Sequence, residues 1–323
     1  MMDQFNASRI FPFLFTIAIF LLLPTVISQM WLVEVTRIVV ITGAAMSLNL
    51  LVGTTGLISM GQGLFFGLGA YVVALGTMRF NLDYFSAALL AIALSLPLSL
   101  LVALISLRAK HLFFGLLTMA IGQVAFVFVS RNYKLTGGDD GLVGIVVPEW
   151  LDNNIAQHYL AVLALFITGI FLLRLLASPL GATFSAVRDN PDRVASLGGN
   201  PKLFEITAMM IGGVLAAMFG TILAATEGSV EPNLFSWVTS TMFLMMVALG
   251  GRSIFLGPLI GAVILEITRA YIQSKSANAD LVVGLVVIAC AVLFPEGLGP
   301  QFKKLMSRIK NFDLAKTKGG DSV

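Results

Sequence analysis

Apolar runs long enough to cross a bilayer recur from one end of this 323-residue chain to the other. Crossing the hydrocarbon of a membrane takes about 20 helical residues. The sequence therefore predicts an all-α, polytopic membrane protein with about ten transmembrane helices. The ten runs are 11–28, 35–52, 63–78, 85–105, 112–130, 158–176, 203–225, 237–250, 254–270 and 281–295. The runs 237–250 and 254–270 are short, so they are either two spans or one broken element.

The composition excludes a water-soluble fold. Hydrophobic residues make up 58% of the chain, charged residues only 11%, and the mean hydropathy is +0.94. Ordinary soluble domains carry about 25% charged residues, so this chain could not cover itself with polar surface. The single cysteine, Cys290, lies in an apolar run, and a chain with one cysteine forms no intrachain disulfide.

The positions of the basic residues predict the orientation of the chain. Loops on the cytoplasmic side of a membrane hold the excess of Lys and Arg. With the N-terminus in the cytoplasm, most of the 20 Lys and Arg fall inside, including those of the loop 174–202 and the tail 301–323. We therefore expect ten spans with both termini cytoplasmic, a permease domain at 1–300 and a basic cytoplasmic tail at 301–323. Pro24 and the lack of a small-x-small site favour a first span over a cleaved signal peptide.

The most unusual stretch is 49–74, in which six glycines crowd the end of one predicted span and the start of the next. Non-helical backbone at membrane depth is tolerated only inside protein or along a watered cavity, so a broken or re-entrant element beside a substrate path is one interpretation. Close packing of helices through small residues, as at Gly63 and Gly67, is the other. The spacing is not that of a nucleotide-binding loop.

The predicted cytoplasmic loop 177–203 contains helical pieces. Pro179 and Pro191 interrupt it, and 183–190 and 192–197 are predicted to form short amphipathic helices. A solvated connector is the alternative interpretation. The charged residues that these helices would expose are Arg188, Asp189 and Arg193.

Ionisable residues near the spans indicate no catalytic or metal chemistry. No Ser/His/Asp set, zinc spacing or pair of inward carboxylates can be assembled, so we predict no catalytic residues and no metal site. An ion-coupled secondary transporter would need acidic or His groups at mid-membrane, and the first five spans contain none at mid-depth. Glu266 and Arg269 lie three residues apart on one helix, where they either pair with each other or serve a function.

Four motifs, in order along the chain, together resemble the permeases of branched-chain amino acid ABC importers. Gln62 stands where that family often has His, and Ala182 where it often has Arg. Urea and short-amide permeases share the pattern, so import of those solutes is the alternative. The motifs are Asn-Leu-Leu-x-Gly-x-x-Gly-x-x-Ser-x-Gly at Asn49 to Gly61, continuing to Gly-x-Gly-Ala-Tyr at Gly67 to Tyr71; Ser178-Pro179-x-Gly181, continuing to Leu197-Gly198; Gly250-Gly251 with Gly257-Pro258; and Phe294-Pro295-x-Gly297-Leu298.

The resemblance implies a permease subunit in a bacterial-type cytoplasmic membrane that forms half of a solute pathway. Its implied partners are a second homologous permease, two cytoplasmic ATPase subunits and an external substrate-binding protein, with no nucleic acid. It implies no cofactor on this chain, since ATP and Mg²⁺ are used by the partner ATPase. The implied pathway residues are Asn49, Gly53, Gly56, Ser59, Gly61, Gly63, Phe65, Gly67 and Tyr71. The segment 177–203 would couple to the ATPase through Ala186, Arg188, Asp189, Asn190, Leu197 and Gly198.

Overall fold

A computed structural model describes residues 2–109, 112–273 and 284–285, and almost all of these form helices. The predicted tenth run, 281–295, lies outside the described residues except for 284–285, as do Cys290, the motif at 294–298 and the tail 301–323. The α-helices are α1 (Met2–Leu22), α2 (Gln29–Asn49), α3 (Gln62–Arg79), α4 (Tyr84–Ser106), α5 (Leu112–Arg131), α6 (Tyr133–Thr136), α7 (Asn154–Ala177), α8 (Pro179–Asp189), α9 (Pro191–Ser196), α10 (Pro201–Glu227), α11 (Trp237–Gly250) and α12 (Gly257–Gln273).

Within the described residues, five helices are long and apolar enough to cross a membrane. The helical class predicted from the sequence is therefore confirmed, whereas the count of ten spans stays a prediction. Two shorter apolar helices cover 10–25 and 237–250. The five long helices are Gln29–Thr55, Tyr84–Ser106, Phe113–Arg131, Asn154–Ala177 and Pro201–Glu227.

The first compact unit covers residues 1–244, and α10 lies at its centre. This helix packs against α2, α3, α4 and α7. Its contact with α3 is close because small residues face each other: Gly69 lies against the carbonyl of Ala217, and Gly220 against the backbone of Phe66. A Cβ atom at either glycine would collide with the other helix, so this part of α3 packs through small residues in the way common in membranes.

The second unit covers 245–323, and its described part is the end of α11 together with α12. Gly250 lies against Gly257, and Gly261 lies against the carbonyl of Met246. The two predicted short runs are therefore two separate helices that turn back on each other between 251 and 256. Glu266 is buried on α12, at 5% exposure.

A two-stranded antiparallel sheet is the one feature that the all-α prediction lacked among the described residues. Strand β1 (Leu142–Val143) lies in the loop between α6 and α7, and β2 (Ser229–Val230) follows α10. Leu142 pairs with Val230, and the N–H groups of Gly144 and Ile145 both donate to the carbonyl of Gly228. The loop 131–157 is therefore held against the end of α10.

Candidate functional site

The chain leaves helical geometry between α2 and α3, inside the glycine-rich stretch. After Asn49 the helix widens into a π-helical turn, Leu50–Thr55, which ends at Gly56 in the left-handed conformation, with φ of 75°. Residues 57–61 form no helix, and α3 begins at Gln62. We call residues 56–61 the helix break. Glycine suits position 56 because other residues rarely adopt this φ.

Buried hydroxyl groups from two other helices hold the start of α3. The N–H of Met60 donates to Oγ1 of Thr118 on α5 over 3.1 Å, and the N–H of Gly63 donates to Oγ of Ser240 on α11 over 2.9 Å. Thr118 and Ser240 are at most 1% exposed. The first N–H groups of a helix lack partners within the helix, so these hydroxyls supply bonds that water cannot supply here.

Gln62 ties the helix break to α2 and α10. Its side-chain Nε2 donates to Oγ of Ser47 over 2.7 Å and to the carbonyl of Gly212 over 2.8 Å. The side chain is fully buried, and its Oε1 has no hydrogen-bond partner among the described residues. A neutral amide can donate two hydrogen bonds, and both are used in fixing these three helices relative to one another.

Three glycines of this stretch stand at close contacts. A Cβ atom at Gly61 would lie 2.9 Å from the carbonyl oxygen of Thr118, and one at Gly63 would lie 2.8 Å from the carbonyl oxygen of Leu234. At Gly67 it would lie 2.8 Å from the ring of Phe235. Cβ atoms essentially never approach other atoms this closely. The start of α3 therefore reaches its neighbours because side chains are absent.

The other residues of the predicted pathway lie in the helix break or along the helices that flank it. Asn49 is half-buried at the end of α2, and its Oδ1 has no partner in the described part of the chain. Phe65 is fully buried beside α10 at Gly213, and the ring of Tyr71 lies 5.3 Å from that of Phe235. Ser59 is fully buried within the helix break and accepts from the N–H of Gly61 over 3.3 Å.

The segment 177–203 folds into the two short helices α8 and α9, as the sequence predicts, but α8 begins earlier than expected. Oγ of Ser178 accepts from the N–H of Gly181, so the helix begins at Pro179, four residues before the predicted start at 183. Oδ1 of Asn190 caps α9 by accepting from the N–H of Arg193 over 2.9 Å. Pro at the first position of each helix fits there because it needs no N–H partner.

The two faces of α8 differ in exposure. Phe184 and Val187 are buried against the rest of the first unit, whereas Ala186 is exposed. Leu197, just after α9, is 83% exposed. Ala186 and Leu197 therefore each present an uncovered apolar side chain on this segment.

Arg188 connects α8 directly to the glycine-rich stretch. Its Nη1 donates to the carbonyl of Gly53, in the π-helical turn, over 2.7 Å. Its side chain lies over Gly56, where a Cβ atom would be 2.7 Å from the arginine Cγ. Asp189 accepts from the same guanidinium at 2.9 and 3.0 Å and so orients it. We call this contact the Arg188 link.

Comparison with known proteins gives the family. Residues 29–291 match the model of the family described as "Branched-chain amino acid transport system / permease component". The chain belongs to this family. The match spans both the helix break and the segment 177–203.

Two relatives cover most of the chain. It is 26% identical over 303 residues to the high-affinity branched-chain amino acid transport system permease protein LivM of Escherichia coli K12, which covers 85% of this chain and 71% of that protein. Its identity to LivM of Salmonella typhimurium LT2 is 27% over 292 residues, or 82% and 68% of the two chains. A probable LivM of Methanocaldococcus jannaschii is 24% identical over 206 residues, or 62% and 59%. No solved structure matches the chain significantly. The resemblance found in the sequence motifs is thus confirmed, and the chain is a multi-pass membrane protein of the transport permease type.

The sequence did not indicate the polar side chains that hold the helix break in place. Ser47 and Thr118 are single hydroxyl residues inside apolar runs, Ser240 lies between Thr239 and Thr241, and the three carry no recognisable spacing. Their one signal is that each is a polar residue in a predicted span, which many packing serines and threonines share. The contact of Arg188 with Gly53 could not be predicted from the sequence either, because the two residues are 135 positions apart.

Proposed function

We propose that this chain is a permease subunit of an ATP-binding-cassette importer and forms half of the membrane pathway for branched-chain amino acids. The family of the chain and the printed names of its relatives support this assignment. The described residues at the start of α3 add to the support, because the large side chains that pack there are apolar. Phe65, Phe66 and Phe235 are buried there, and the charged side chain of Arg188 lies at the other end of the helix break, over Gly56.

The Arg188 link is the observation that carries the proposal. A permease without its own ATP site needs a segment that receives motion from a partner and a second segment that opens the path. In this chain the first is α8 with α9, and the second is the helix break. Because the guanidinium of Arg188 bonds the carbonyl of Gly53 and its stem covers Gly56, a shift of α8 acts on the backbone at the end of α2.

The proposed cycle follows from this connection. The partner ATPase closes on ATP and Mg²⁺ and moves α8 and α9, which dock on it through the exposed surface around Ala186 and Leu197. The motion reaches the π-helical turn through the Arg188 link. π-Helical turns occur often at functional sites. The helix break would then rearrange beside the solute.

The proposed assembly contains a second homologous permease, two ATPase subunits and an external binding protein. Ten spans, with both termini in the cytoplasm, place 177–203 and the tail 301–323 on the side of the ATPase. No cofactor binds to this chain in the proposal, since the partner hydrolyses ATP. High affinity for the solute would reside in the binding protein, because residues 56–61 themselves carry no charged side chain.

Uptake by the reconstituted transporter tests the proposal. Proteoliposomes that hold both permeases and the ATPase, supplied with the binding protein and internal ATP, should accumulate leucine, isoleucine and valine more than urea or acetamide. Uptake of urea or acetamide alone would indicate that the transporter imports urea or short amides instead of branched-chain amino acids. Uptake that persists without ATP and stops when an ionophore collapses ion gradients would refute the importer assignment.

A further inference from the structure

A polar cavity of about 260 Å³ lies where α2 and α7 begin and where α10 ends. Its walls include Val33, Glu34 and Arg37 from α2, Gln157 from α7, Glu227 from the end of α10 and Ser229 from β2. Pockets for drug-sized ligands occupy roughly 300–1,000 Å³, so a cavity of this size suits a smaller solute. It lies at the ends of three long helices and shares no residue with the helix break.

The cavity presents charges of both signs. Nε of Arg37 and Oε1 of Glu227 are 3.4 Å apart, and the two side chains are 39% and 31% exposed. The pair is partly exposed, so both side chains are accessible from the cavity. Glu34 lies three residues before Arg37 on the same helix and lines the same cavity. One cation and two carboxylates therefore border one small space.

Gln157 is the second, independent sign of a ligand. Its side chain is 9% exposed and lines the cavity, yet no hydrogen bond among the described residues involves its amide group. The amide opens onto the cavity, so its hydrogen bonds are left to whatever molecule fills the cavity. A molecule in the cavity could accept from the Gln157 NH₂ group and donate to its carbonyl oxygen.

We propose that this cavity binds the head group of a zwitterionic α-amino acid. The carboxylate of the ligand would bond Arg37 and the Gln157 NH₂ group, and its ammonium would bond Glu34 and Glu227. A simple anion would meet two carboxylates and a simple cation would meet an arginine, whereas a zwitterion matches both. Val33 offers apolar surface for an aliphatic side chain.

The identity of this ligand as the transported solute rests on the proposed function. In the proposed orientation, the start of α2, the start of α7 and the end of α10 all lie on the external side. The cavity would then hold an amino acid at the outer mouth, after its release from the binding protein and before it reaches the helix break. Binding at such a waiting position should be weaker than in the binding protein.

Protection of a single cysteine from labelling tests the site without any transport. Ser229→Cys, in a Cys290→Ala background, is labelled with a maleimide in membrane fragments whose two faces are both open to the reagent. Since the free fraction of a site is 1/(1 + [L]/Kd), leucine at about ten times its Kd should slow labelling about tenfold. Leucine amide lacks the carboxylate and 4-methylpentanoate lacks the ammonium, so each should protect far less at the same concentration.

Control variants tie the protection to the named groups. Arg37→Met and Gln157→Leu should abolish protection by leucine, with the rate for each variant compared with that of the same variant without leucine. A cysteine at the exposed Asp140 should label at one rate with and without leucine. Equal labelling of Ser229→Cys with and without leucine, or equal protection by 4-methylpentanoate, would overturn the site.

Uptake of leucine, measured on the same membranes resealed with ATP, separates this proposal from the proposed function. Normal uptake without protection overturns the cavity site alone. Protection that depends on Arg37 and Gln157 supports the site whatever the uptake result, whereas absent uptake counts against the importer assignment.

Discussion

Gln62 is the residue through which α3 contacts both α2 and α10 by hydrogen bonds. Its amide reaches Oγ of Ser47 and the carbonyl of Gly212, and it is fully buried. The family often has His at this position. A histidine ring nitrogen and a glutamine amide nitrogen can each donate a hydrogen bond. Gln62 therefore keeps a donor where the helix break needs one.

We expect Gln62→Leu to weaken the fold measurably. Losing these hydrogen bonds should lower the free energy of unfolding by about 1 kcal/mol, since such bonds in membrane proteins are modest. Thermal unfolding of the purified protein in detergent measures the change. Gln123→Leu is the matched control, because the buried Oε1 of Gln123 has no partner in the described part of the chain. Equal midpoint temperatures of unfolding for Gln62→Leu and the wild type would show that these hydrogen bonds do not hold the helix break in place.

Arg188→Met separates docking from transmission. Methionine keeps a stem that can cover Gly56 but removes the donor to the carbonyl of Gly53. We expect the variant to bind the ATPase and hydrolyse ATP normally, while the solute imported per ATP falls severalfold. Arg193→Met, on the exposed α9, is the control and should couple normally. A wild-type ratio of uptake to hydrolysis in Arg188→Met would show that the Arg188 link transmits nothing.

At the scale of elements, the start of α3 is closely packed where the carbonyl of Leu234 approaches Gly63. A Cβ atom at Gly63 would lie 2.8 Å from that oxygen and 2.9 Å from Oγ of Ser240, so Gly63→Ala must push α3 away or break its bond to Ser240. We expect Gly63→Ala to reduce uptake about tenfold or more, and Gly63→Leu to abolish it, because small displacements at such sites carry large effects on activity. Initial rates of leucine uptake, normalised to protein in the membrane, measure the loss.

Gly122→Ala is the control for this substitution. A Cβ atom at Gly122, on α5, would have its nearest contact at an ordinary 3.4 Å. This variant should import at the wild-type rate. Normal uptake by Gly63→Ala as well would mean that close packing at the helix break has no bearing on transport.

The sequence predicts the helices well and their ends less well. Apolar composition places α4, α5 and α10 within a few residues, because a span must be apolar over most of its length. It places the start of α2 six residues late, since Glu34 precedes the apolar run 35–52 although it lies within the first turns of the helix. The sheet of β1 and β2 has two residues in each strand, too few for any alternation to show.

The site is predictable only where one stretch of chain carries it. Glycine crowding and two prolines mark the helix break and the segment 177–203 in the sequence. Their connection through Arg188 depends on contacts between residues far apart in the chain, and single hydroxyls such as Thr118 have no local signature. Gly69 packs against α10, and Gly56 takes a left-handed backbone conformation, whereas a position of this stretch beside a solute path stays a prediction.

For the whole molecule, the topology is the first prediction to check. Single cysteines at Asn153 and Lys318, in a Cys290→Ala background, should label from opposite faces of intact cells. A membrane-impermeant maleimide added outside should modify Asn153→Cys, because the basic tail is expected in the cytoplasm. It should reach Lys318→Cys only after the cells are permeabilised. External labelling of both positions would refute ten spans with both termini inside.

Substrate-stimulated ATP hydrolysis and leucine uptake, measured together in proteoliposomes of the complete transporter, test the central claim most directly. The variant is Ala186→Trp, which places a large side chain on the exposed face of α8, where the ATPase is proposed to dock. Ala186→Ser keeps the residue small and serves as the control. We predict that the wild type and Ala186→Ser couple hydrolysis to uptake, while Ala186→Trp loses ATPase association or hydrolyses ATP without uptake. Normal coupling in Ala186→Trp would contradict the claim that this segment passes the ATPase motion to the helix break.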